Sequence, residues 1–330
     1  MTFLSRFMTA VSLGFLLTAC TEHTATETQL ATTDSEHIVE APARADMPGT
    51  SPATSWPDLD PYWYQGKAEI NTYDLEQVRY GATHPGELTL IFVTEDFLTD
   101  EQVKNDRYQN PNSTKVLKTN QFRRFTTGIY DYSVMSSVFT PVKRNDEPNT
   151  LKVTTSSQDW CGQSFGQLNF DSDDTYDWQW NSYFEAEGDR TGEVEADLIE
   201  DEILNLIRMG GAPTLPRGNI SVLPPLEALL LNHLQVGPAE AVAKVEDYKG
   251  EPIADAGKLM TYTLEYPSLG RELAITFALE SPYRIEMIQT RENSRGRILT
   301  TTARRRATEL LPYWQMNSPK DIDRRANLGL

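Results

Sequence analysis

Alternating hydrophobic and polar positions dominate the chain from residue 61 onward and predict β-strands. Between residues 272 and 279 every second residue is large and apolar: Leu273, Ile275, Phe277 and Leu279. Such alternation places the apolar side chains on one face of a strand and the polar ones on the other. Comparable segments recur roughly every dozen residues and are separated by turn-forming residues. The pattern predicts a mainly β (α+β) fold, a large curved antiparallel sheet or half-barrel.

The same pattern places individual strands and one long connection. Strands are predicted over residues 62–70 with a continuation to 75–80, 87–97, 134–142, 151–160, 163–170, 175–184, 258–266, 272–279, 283–291 and 297–303. Residues 99–120 are polar and predict a long loop or lid. In the segment 175–184, Tyr176, Trp178 and Trp180 alternate with polar residues and therefore share one face of the sheet.

One main helix is predicted near residues 197–209. Ile199, Ile203 and Ile207 recur at helical spacing and form an apolar stripe. Asp197 is expected to cap its first turn, since an aspartate side chain accepts hydrogen bonds from the unpaired N–H groups there. The acidic residues clustered from Glu187 to Glu202 are expected partly to suit the positive end of the helix and otherwise to lie on a solvated face.

The first residues of the chain have the pattern of an export signal. A short start with Arg6 is followed by an apolar run and then by Leu17-Thr18-Ala19-Cys20. The run is too short for a stable spanning helix, so we expect removal of residues 1–19. The sequence resembles bacterial lipoproteins here, which implies cleavage between Ala19 and Cys20 and acylation of Cys20 by fatty acids such as palmitate. Several acyl chains on one residue would anchor the protein durably in a membrane.

The predicted domain organisation follows from a change in composition after the signal. Residues 20–56 comprise the lipidated cysteine and a flexible tether, because the segment is rich in Thr, Ala, Glu, Pro and Ser. Residues 57–330 form a β-rich domain with a possible internal boundary near 210–218. Thr21 stands where an aspartate would signal retention in the inner membrane, so we expect an outer-membrane lipoprotein that faces the periplasm.

Charge and cysteine content exclude several classes of function. The formal net charge of −18 repels phosphates and anionic headgroups, so nucleic-acid binding and electrostatic membrane docking are disfavoured. With Cys20 lipidated, Cys161 is the second of only two cysteines, and a disulfide framework within the chain is impossible. No second apolar run approaches the length needed to span a membrane. The Arg304-Arg305-Arg306 patch is expected to balance nearby acids or, alternatively, to hold an anionic headgroup.

The predicted domain contains few candidate catalytic or metal-binding residues. Cys161 is an alternative nucleophile if the fold brings it to His84 or His233, whereas a small buried residue beside Gly162 is the other interpretation. The acidic run at 171–177 lacks the glycine and the final acid of a helix–loop–helix calcium loop. We therefore expect no metal and no cofactor, and the sequence contains no serine-hydrolase elbow, phosphate loop or dinucleotide motif.

Four segments of the chain resemble a family of uncharacterised bacterial envelope lipoproteins. They are YWYQGKAEI at 62–70, LIFVTEDF at 90–97, MSSVFTPV at 135–142 and LKVTTSSQDWCG at 151–162. Members are often labelled septum formation inhibitor Maf, although the Ser- and Arg-rich motif of the Maf nucleotide pyrophosphatases is absent here. The predicted sheet and helix are also similar, at the level of fold, to the half-barrels that bind lipids and lipoproteins in the Lol pathway.

Together these observations predict a non-enzymatic outer-membrane lipoprotein that binds a hydrophobic ligand or an envelope partner. Its contacts would be the membrane, through the N-terminal lipid, and a lipid or an envelope protein, while the oligomeric state is not defined by the sequence. The alternatives are a structural or scaffolding lipoprotein and an envelope hydrolase or transferase that depends on Cys161. A concave apolar face closed by a helix would make a ligand cavity. The residues expected to line it are Tyr176, Trp178, Trp180, Ile199, Ile203 and Ile207.

Overall fold

A computed structural model describes residues 55–171 and 174–330, which form a mainly β structure with few helices. Within these residues the strands are β1 Ala68–Arg79, β2 Ala82–Leu98, β3 Val103–Lys104, β4 Ser113–Thr127, β5 Tyr130–Pro141, β6 Lys152–Gln158, β7 Gln163–Phe170, β8 Thr175–Ser182, β9 Asp189–Glu195, β10 Leu198–Ile199, β11 Gly218–Leu223, β12 Ala239–Asp247, β13 Leu259–Tyr266, β14 Arg271–Ala278, β15 Ile285–Ser294 and β16 Arg297–Leu311. The α-helices are α1 Ile203–Gly210 and α2 Leu226–Leu231. Shorter 3₁₀ segments span Pro61–Tyr64, Glu200–Glu202, Ala212–Thr214, Tyr313–Gln315 and Pro319–Leu328.

All the described strands belong to one sheet. Its order is β10-β11-β12-β13-β14-β15-β16-β1-β2-β4-β5-β6-β7-β8-β9, with β3 paired to β2. Neighbours are antiparallel apart from the short parallel pair β10–β11. The first and last strands of the order, β10 and β9, follow one another in the chain, while β1 and β16 pair in the middle and join the two halves. The sheet is therefore open, and its first and last strands in chain order pair at its centre.

Tight hairpins set the register of the central strands. Between β1 and β2 only Tyr80 and Gly81 form the turn, with positive φ angles of 53° and 78°. Two such residues in succession make the turn whose twist matches that of paired strands. The resulting register pairs Glu69 with Phe92 and Arg79 with Ala82 without interruption. This register directs Tyr73 and Leu75 of β1 toward the same core cluster as Leu88, Leu90 and Phe92 of β2.

Helix α1 occupies the interior that the sheet curves around. All eight of its residues are buried. Its apolar side chains share one core cluster with residues of β1, β2, β4, β12, β13 and β14, strands that lie far apart in the sheet order. Strands so distant in the order contact one helix only if the sheet curls around that helix. The concave face of the sheet is thus filled by a segment of the chain itself.

A buried ion pair fixes this helix to the sheet. Arg208 of α1 donates from Nη2 to Oε2 of Glu69 at 2.6 Å, and both side chains are almost completely inaccessible to solvent. Glu69 also accepts hydrogen bonds from the Tyr62 hydroxyl at 2.5 Å and the Asn71 amide at 2.7 Å. The guanidinium carbon lies 5.0 Å from the ring centre of Trp63, within range of a cation–π interaction. Burial of these charges is tolerable because each has specific partners.

Two further polar side chains of the interior segment bond to the opposite part of the sheet. Asn205 donates to the carbonyl of Leu117 at 3.1 Å and to the hydroxyl of Thr140 at 2.9 Å, and it accepts a hydrogen bond from Thr119. Glu202 accepts from the Thr150 hydroxyl at 2.6 Å. Because these partners belong to β4 and β5 or follow β5, the helix is attached on both sides of the interior.

The mainly β class agrees with the sequence prediction, whereas parts of the sheet, the helix and one connection differ from it. Residues 62–64 of the strand expected over 62–70 belong to a 3₁₀ segment, and β1 begins at Ala68. Strands β9, β11 and β12 have no counterpart in the prediction. Helix α1 begins at Ile203 rather than near Asp197, because residues 198–199 pair with β11 and residues 200–202 form a 3₁₀ turn. Residues 113–120 of the expected loop or lid belong to β4, which pairs with β2 along thirteen residues. The signal peptide, Ala19, Cys20, most of the tether and part of the acidic run at 171–177 lie outside the described residues.

Two other features bear on the predicted surface and topology. Arg305 and Arg306 of the basic patch form ion pairs with Glu286 at 2.7 Å and with Asp74 at 3.0 Å, so these two arginines balance nearby acids.

In the described part of the chain, no helix has the length and apolar character required to cross a lipid bilayer.

The buried ion pair gives a stability prediction. Glu69→Ala leaves the Arg208 charge buried without its carboxylate, and we expect the free energy of unfolding to fall by about 3–5 kcal/mol. Urea denaturation followed by tryptophan fluorescence measures this change. Asp74→Ala is the matched control, because Asp74 lies on the same strand and pairs with Arg306 at the surface; its loss should stay below about 1 kcal/mol. Equal losses in the two variants would contradict the assigned role of the buried pair.

Candidate functional site

One candidate site is a cavity beneath α2, at the end of the sheet where β1 meets its hairpin. Its volume is about 100 Å³, and its walls come from α2, the 3₁₀ segment 200–202 and five strands. Its charged lining residues are Arg79, Arg123, Arg271, Glu200, Asp201, Glu227 and Glu292. Its aliphatic lining includes Leu204, Leu231, Leu273, Ile275 and Ile288. The cavity is therefore half polar and half aliphatic.

Two ion pairs organise the polar half of the cavity. Arg271 of β14 donates from Nη1 and Nη2 to the two carboxylate oxygens of Glu200 at 2.5 and 2.6 Å, a bidentate arrangement. Arg123 of β4 lies 2.7 Å from a carboxylate oxygen of Glu227 on α2. Arg79 at the end of β1 donates to the carbonyl of Leu231 at 2.6 Å. Together these contacts attach α2 and the interior segment to three separate strands.

Asp201 is the buried acid of this site. It is 6% exposed, and its Oδ2 accepts a hydrogen bond from the backbone N–H of Leu226 at 3.0 Å. Burial raises the pKa of Asp201 to about 7, opposed by the Leu226 hydrogen bond and reinforced by the charges of Glu200 and Glu227. Burial also raises the pKa of Glu292. With a pKa of about 7, Asp201 exchanges its proton near neutral pH, which is a property of many functional sites.

A second candidate site is a groove on the convex face of the sheet, here called the outer groove. The C-terminal residues 312–330 cross the outside of β16, β1, β2 and β4, and the groove between them has a volume of about 330 Å³. Its apolar lining consists of Ile70, Ile91, Phe122, Leu311, Tyr313, Met316, Leu328 and Leu330. Volumes of this size fall within the range of about 300–1,000 Å³ found for small-molecule sites.

A hydrogen bond from β1 and a glycine turn hold the C-terminal residues on this face of the sheet. Thr72 of β1 donates its hydroxyl to the carbonyl of Leu328 at 2.7 Å. Gly329 then turns the chain with a φ of 66°, and a Cβ atom there would lie 2.7 Å from Nε of Arg306. Only glycine meets both conditions without strain. The groove is thus a defined part of the structure and depends on the last residues of the chain.

The rim of the outer groove carries positive charge. Arg124 of β4 and Arg325 of the C-terminal residues line it, and neither forms an ion pair with a described residue. Arg324 contacts Asp321 at 3.7 Å, while Glu87 is held by Arg306 at 3.4 Å. In a chain with a net charge of −18, two arginines without carboxylate partners give this apolar groove a locally positive rim.

Five of the six residues predicted to line a ligand cavity lie in the core. Tyr176 and Trp180 are buried with Ile199 in one cluster. Trp178 packs against that cluster but is partly exposed, and it lines a mostly polar groove of about 370 Å³ over β7, β8 and β9. Ile203 and Ile207 belong to the larger cluster around α1. None of the six lines the cavity beneath α2 or the outer groove. A direct role in ligand binding stays a prediction for them.

The alternative nucleophile lies in an exposed turn. Cys161 sits between β6 and β7, and its backbone N–H donates to Oδ1 of Asp159 at 2.6 Å. His84 on β2 contacts the carbonyl oxygen of Arg79 at 3.1 Å through Nε2. His233 after α2 contacts a carboxylate oxygen of Glu187 at 2.5 Å through Nδ1. The expectation that Cys161 is buried beside Gly162 is wrong, because its turn faces solvent; its reactivity stays a prediction.

Neither candidate site was predicted from the sequence. The acids from Glu187 to Glu202 are expected at the positive end of the helix or on a solvated face, but Glu200, Asp201 and Glu202 are all buried. A signal was present, since three consecutive acids directly precede an apolar helix that the sheet encloses. The burial of these acids, however, depends on contacts with Arg271, Leu226 and Thr150. Each of these partners lies at least 25 positions away in the chain. The outer groove has no local signature, because its residues come from four strands and the chain terminus.

Comparisons with known proteins give a distant structural similarity but no family. No protein-family model matches the chain, and no curated protein sequence matches it. Among solved structures it is similar to the crystal structure of a β-barrel-like protein of domain of unknown function DUF1849 from Brucella abortus. The two share 7% sequence identity and a TM-score of 0.47 over 74% of this chain and 98% of that one. We draw no functional conclusion from this similarity.

Asp201 gives a prediction about the pH dependence of stability. Because its pKa is raised from 3.8 to about 7, the native protein holds a proton that the unfolded chain releases between these pH values. Its contribution therefore lowers stability as the pH rises from about 4 to about 7. Asp201→Asn removes this titration and keeps an acceptor for the Leu226 N–H. We expect equal stability of the variant and wild type near pH 4 and an advantage of about 4 kcal/mol for the variant near pH 8.

Urea denaturation across this pH range measures the difference between the two proteins. A constant difference in unfolding free energy at every pH would contradict a buried, protonated Asp201.

Proposed function

We propose that the protein is a non-enzymatic outer-membrane lipoprotein, anchored through Cys20 and facing the periplasm, that binds a single-chain anionic lipid in the outer groove. The N-terminal sequence supports the anchoring, since a basic start, a short apolar run and Leu17-Thr18-Ala19-Cys20 form a lipoprotein signal. The groove supports the ligand class. A long-chain fatty acid, with one carboxylate and one alkyl chain, is the simplest member of that class.

The observation that carries the proposal is the pairing of an apolar floor with an unneutralised basic rim. An alkyl chain against Ile91, Phe122 and Leu328 would remove apolar surface from water, worth roughly 25 cal/mol per Å². A carboxylate at Arg124 and Arg325 would receive charge-assisted hydrogen bonds. A neutral lipid would leave both arginines unused, and a polar anion would leave the floor exposed.

The filled interior of the sheet also favours a ligand on the outside. Helix α1 is buried along its whole length, and the interior arginine already has Glu69 as its partner. An alkyl chain in that space would have to displace the helix and break the buried ion pair. The outer groove, in contrast, is open to solvent and requires no rearrangement of the core.

Variants of the groove test the ligand assignment. Native mass spectrometry of the full chain, extracted in a mild nonionic detergent, should detect a fatty-acid adduct, and oleate titration should show saturable binding. Arg124→Glu together with Arg325→Glu should weaken oleate binding by about tenfold or more, because two charge-assisted contacts are replaced by repulsion. Ile91→Asp should act similarly by placing a charge on the apolar floor.

Arg107→Glu is the matched control, since Arg107 is exposed and does not line the groove. Oleate affinity that is unchanged in the double variant, or reduced equally in the control, would reject the outer groove as the lipid site. Absence of any adduct and of saturable oleate binding in the wild type would favour the scaffolding alternative.

The anchoring is tested separately at the cysteines. Cys20→Ser removes the thiol on which lipoprotein acylation depends, so we expect no incorporation of alkyne-labelled palmitate and loss of the protein from the outer-membrane fraction. Cys161→Ser should be labelled and located like the wild type. Equal labelling of the Cys20→Ser variant would contradict the proposed anchor, whatever the outcome of the groove experiments.

A further inference from the structure

The cavity beneath α2 contains arginine nitrogen atoms that lack partners. Nε of Arg79 and Nε of Arg271 are buried and have no hydrogen-bond partner among the described residues. The other two nitrogens of Arg271 are occupied by Glu200. Arg79 forms a hydrogen bond with the Leu231 carbonyl but no ion pair with a described residue. A buried donor without a partner costs free energy, so these atoms indicate an occupant that accepts hydrogen bonds.

The ion pairs around the cavity leave one arginine without a carboxylate partner. Glu200 pairs with Arg271 and Glu227 with Arg123, whereas Arg79 forms no ion pair with a described residue. Burial raises the pKa of Asp201 to about 7, so below that pH its side chain is neutral and offers an O–H donor. Burial also raises the pKa of Glu292. Arg79, the unpartnered Nε atoms and the Asp201 O–H are the groups that would receive an anion.

The remaining walls and the size of the cavity restrict the anion. Leu204, Leu231, Leu273, Ile275 and Ile288 line the aliphatic half. The cavity volume of about 100 Å³ is smaller than the cavity of roughly 150 Å³ that accommodates benzene in another protein. The anion must therefore have fewer non-hydrogen atoms than benzene. A guanidinium fork matches the planar geometry of a carboxylate. Phosphate and sulfate carry no alkyl group to contact the leucines and isoleucines.

We propose that the cavity beneath α2 binds a short-chain aliphatic monocarboxylate, with its carboxylate beside Arg79 and Arg271 and its alkyl group against Leu204 and Ile275. Propionate, with five non-hydrogen atoms, is the probe of this class that fits the available space. The site is separate from the outer groove, so it does not depend on the function proposed above.

The pH dependence of binding follows from every charged group that faces the cavity. These are Arg79 on β1, Arg123 on β4, Glu200 and Asp201 in the 3₁₀ segment, Glu227 on α2, Arg271 on β14 and Glu292 on β15. Ionised Asp201 would repel a bound carboxylate, whereas its protonated form, present below a pKa of about 7, would donate to it. Propionate should therefore bind more tightly near pH 6 than near pH 8.

Saturation-transfer NMR and calorimetric titration of the full chain with propionate, at constant ionic strength, test this proposal. We expect one site per chain, with affinity at least about tenfold lower in Arg79→Gln because a charge-assisted contact is lost. Glu292→Gln should instead raise the affinity, because it removes a carboxylate that lines the cavity beside the bound anion. The Glu292→Gln variant keeps the test decisive if Arg79→Gln fails to fold, which circular dichroism would reveal.

Arg295→Gln is the matched control. Arg295 packs over the Tyr80 ring, as Arg79 does, but does not line the cavity, so its removal should leave propionate binding unchanged. No saturable binding to the wild type near pH 6, or equal binding by the Arg79→Gln and wild-type proteins, would overturn the proposal. Tighter binding near pH 8 than near pH 6 would also overturn it.

Discussion

The structure depends on the ion pair between Glu69 and Arg208, because it lets a helix with a charged residue occupy the interior of the sheet. The Arg208 guanidinium carbon lies 5.0 Å from the ring centre of Trp63 and 5.2 Å from that of Phe92, and the Tyr62 hydroxyl donates to the Glu69 carboxylate. One interaction thus connects the first 3₁₀ turn, β1, β2 and α1. A helix placed so deeply, and also held by Asn205 on its other side, determines how far the sheet can close.

The filled interior in turn determines where a ligand has room. The concave face of a curved sheet is the usual place for a hydrophobic ligand, but here α1 already buries that face. The two candidate sites differ in character. The outer groove is apolar with a basic rim and opens to solvent, whereas the cavity beneath α2 is small and half lined by charges. The ligands proposed for them differ accordingly, a carboxylate with a long alkyl chain for the groove and one with a short chain for the cavity.

Three consecutive acids show how tertiary contacts assign different roles to similar residues. Glu200 forms a bidentate pair with Arg271, Asp201 accepts from the Leu226 N–H, and Glu202 accepts from Thr150. Their side chains leave a tight 3₁₀ turn in different directions and reach different parts of the structure. Asp201 forms no ion pair with a described residue. The attraction of Arg271 is too weak to offset the effect of burial, so the pKa of Asp201 rises to about 7.

The sequence by itself determined the mainly β class, most strand positions and the presence of one apolar helix, because alternation and turn residues act over a few neighbouring positions. It did not reveal β4, whose outward residues are polar, or the start of α1, where residues 198–199 join β11 instead of a helix. The tertiary structure alone decided that the helix lies inside the sheet. It also decided that distant residues such as Arg124 and Arg325, or Arg79 and Arg271, share a site, since only the register and curvature of the whole sheet bring them together.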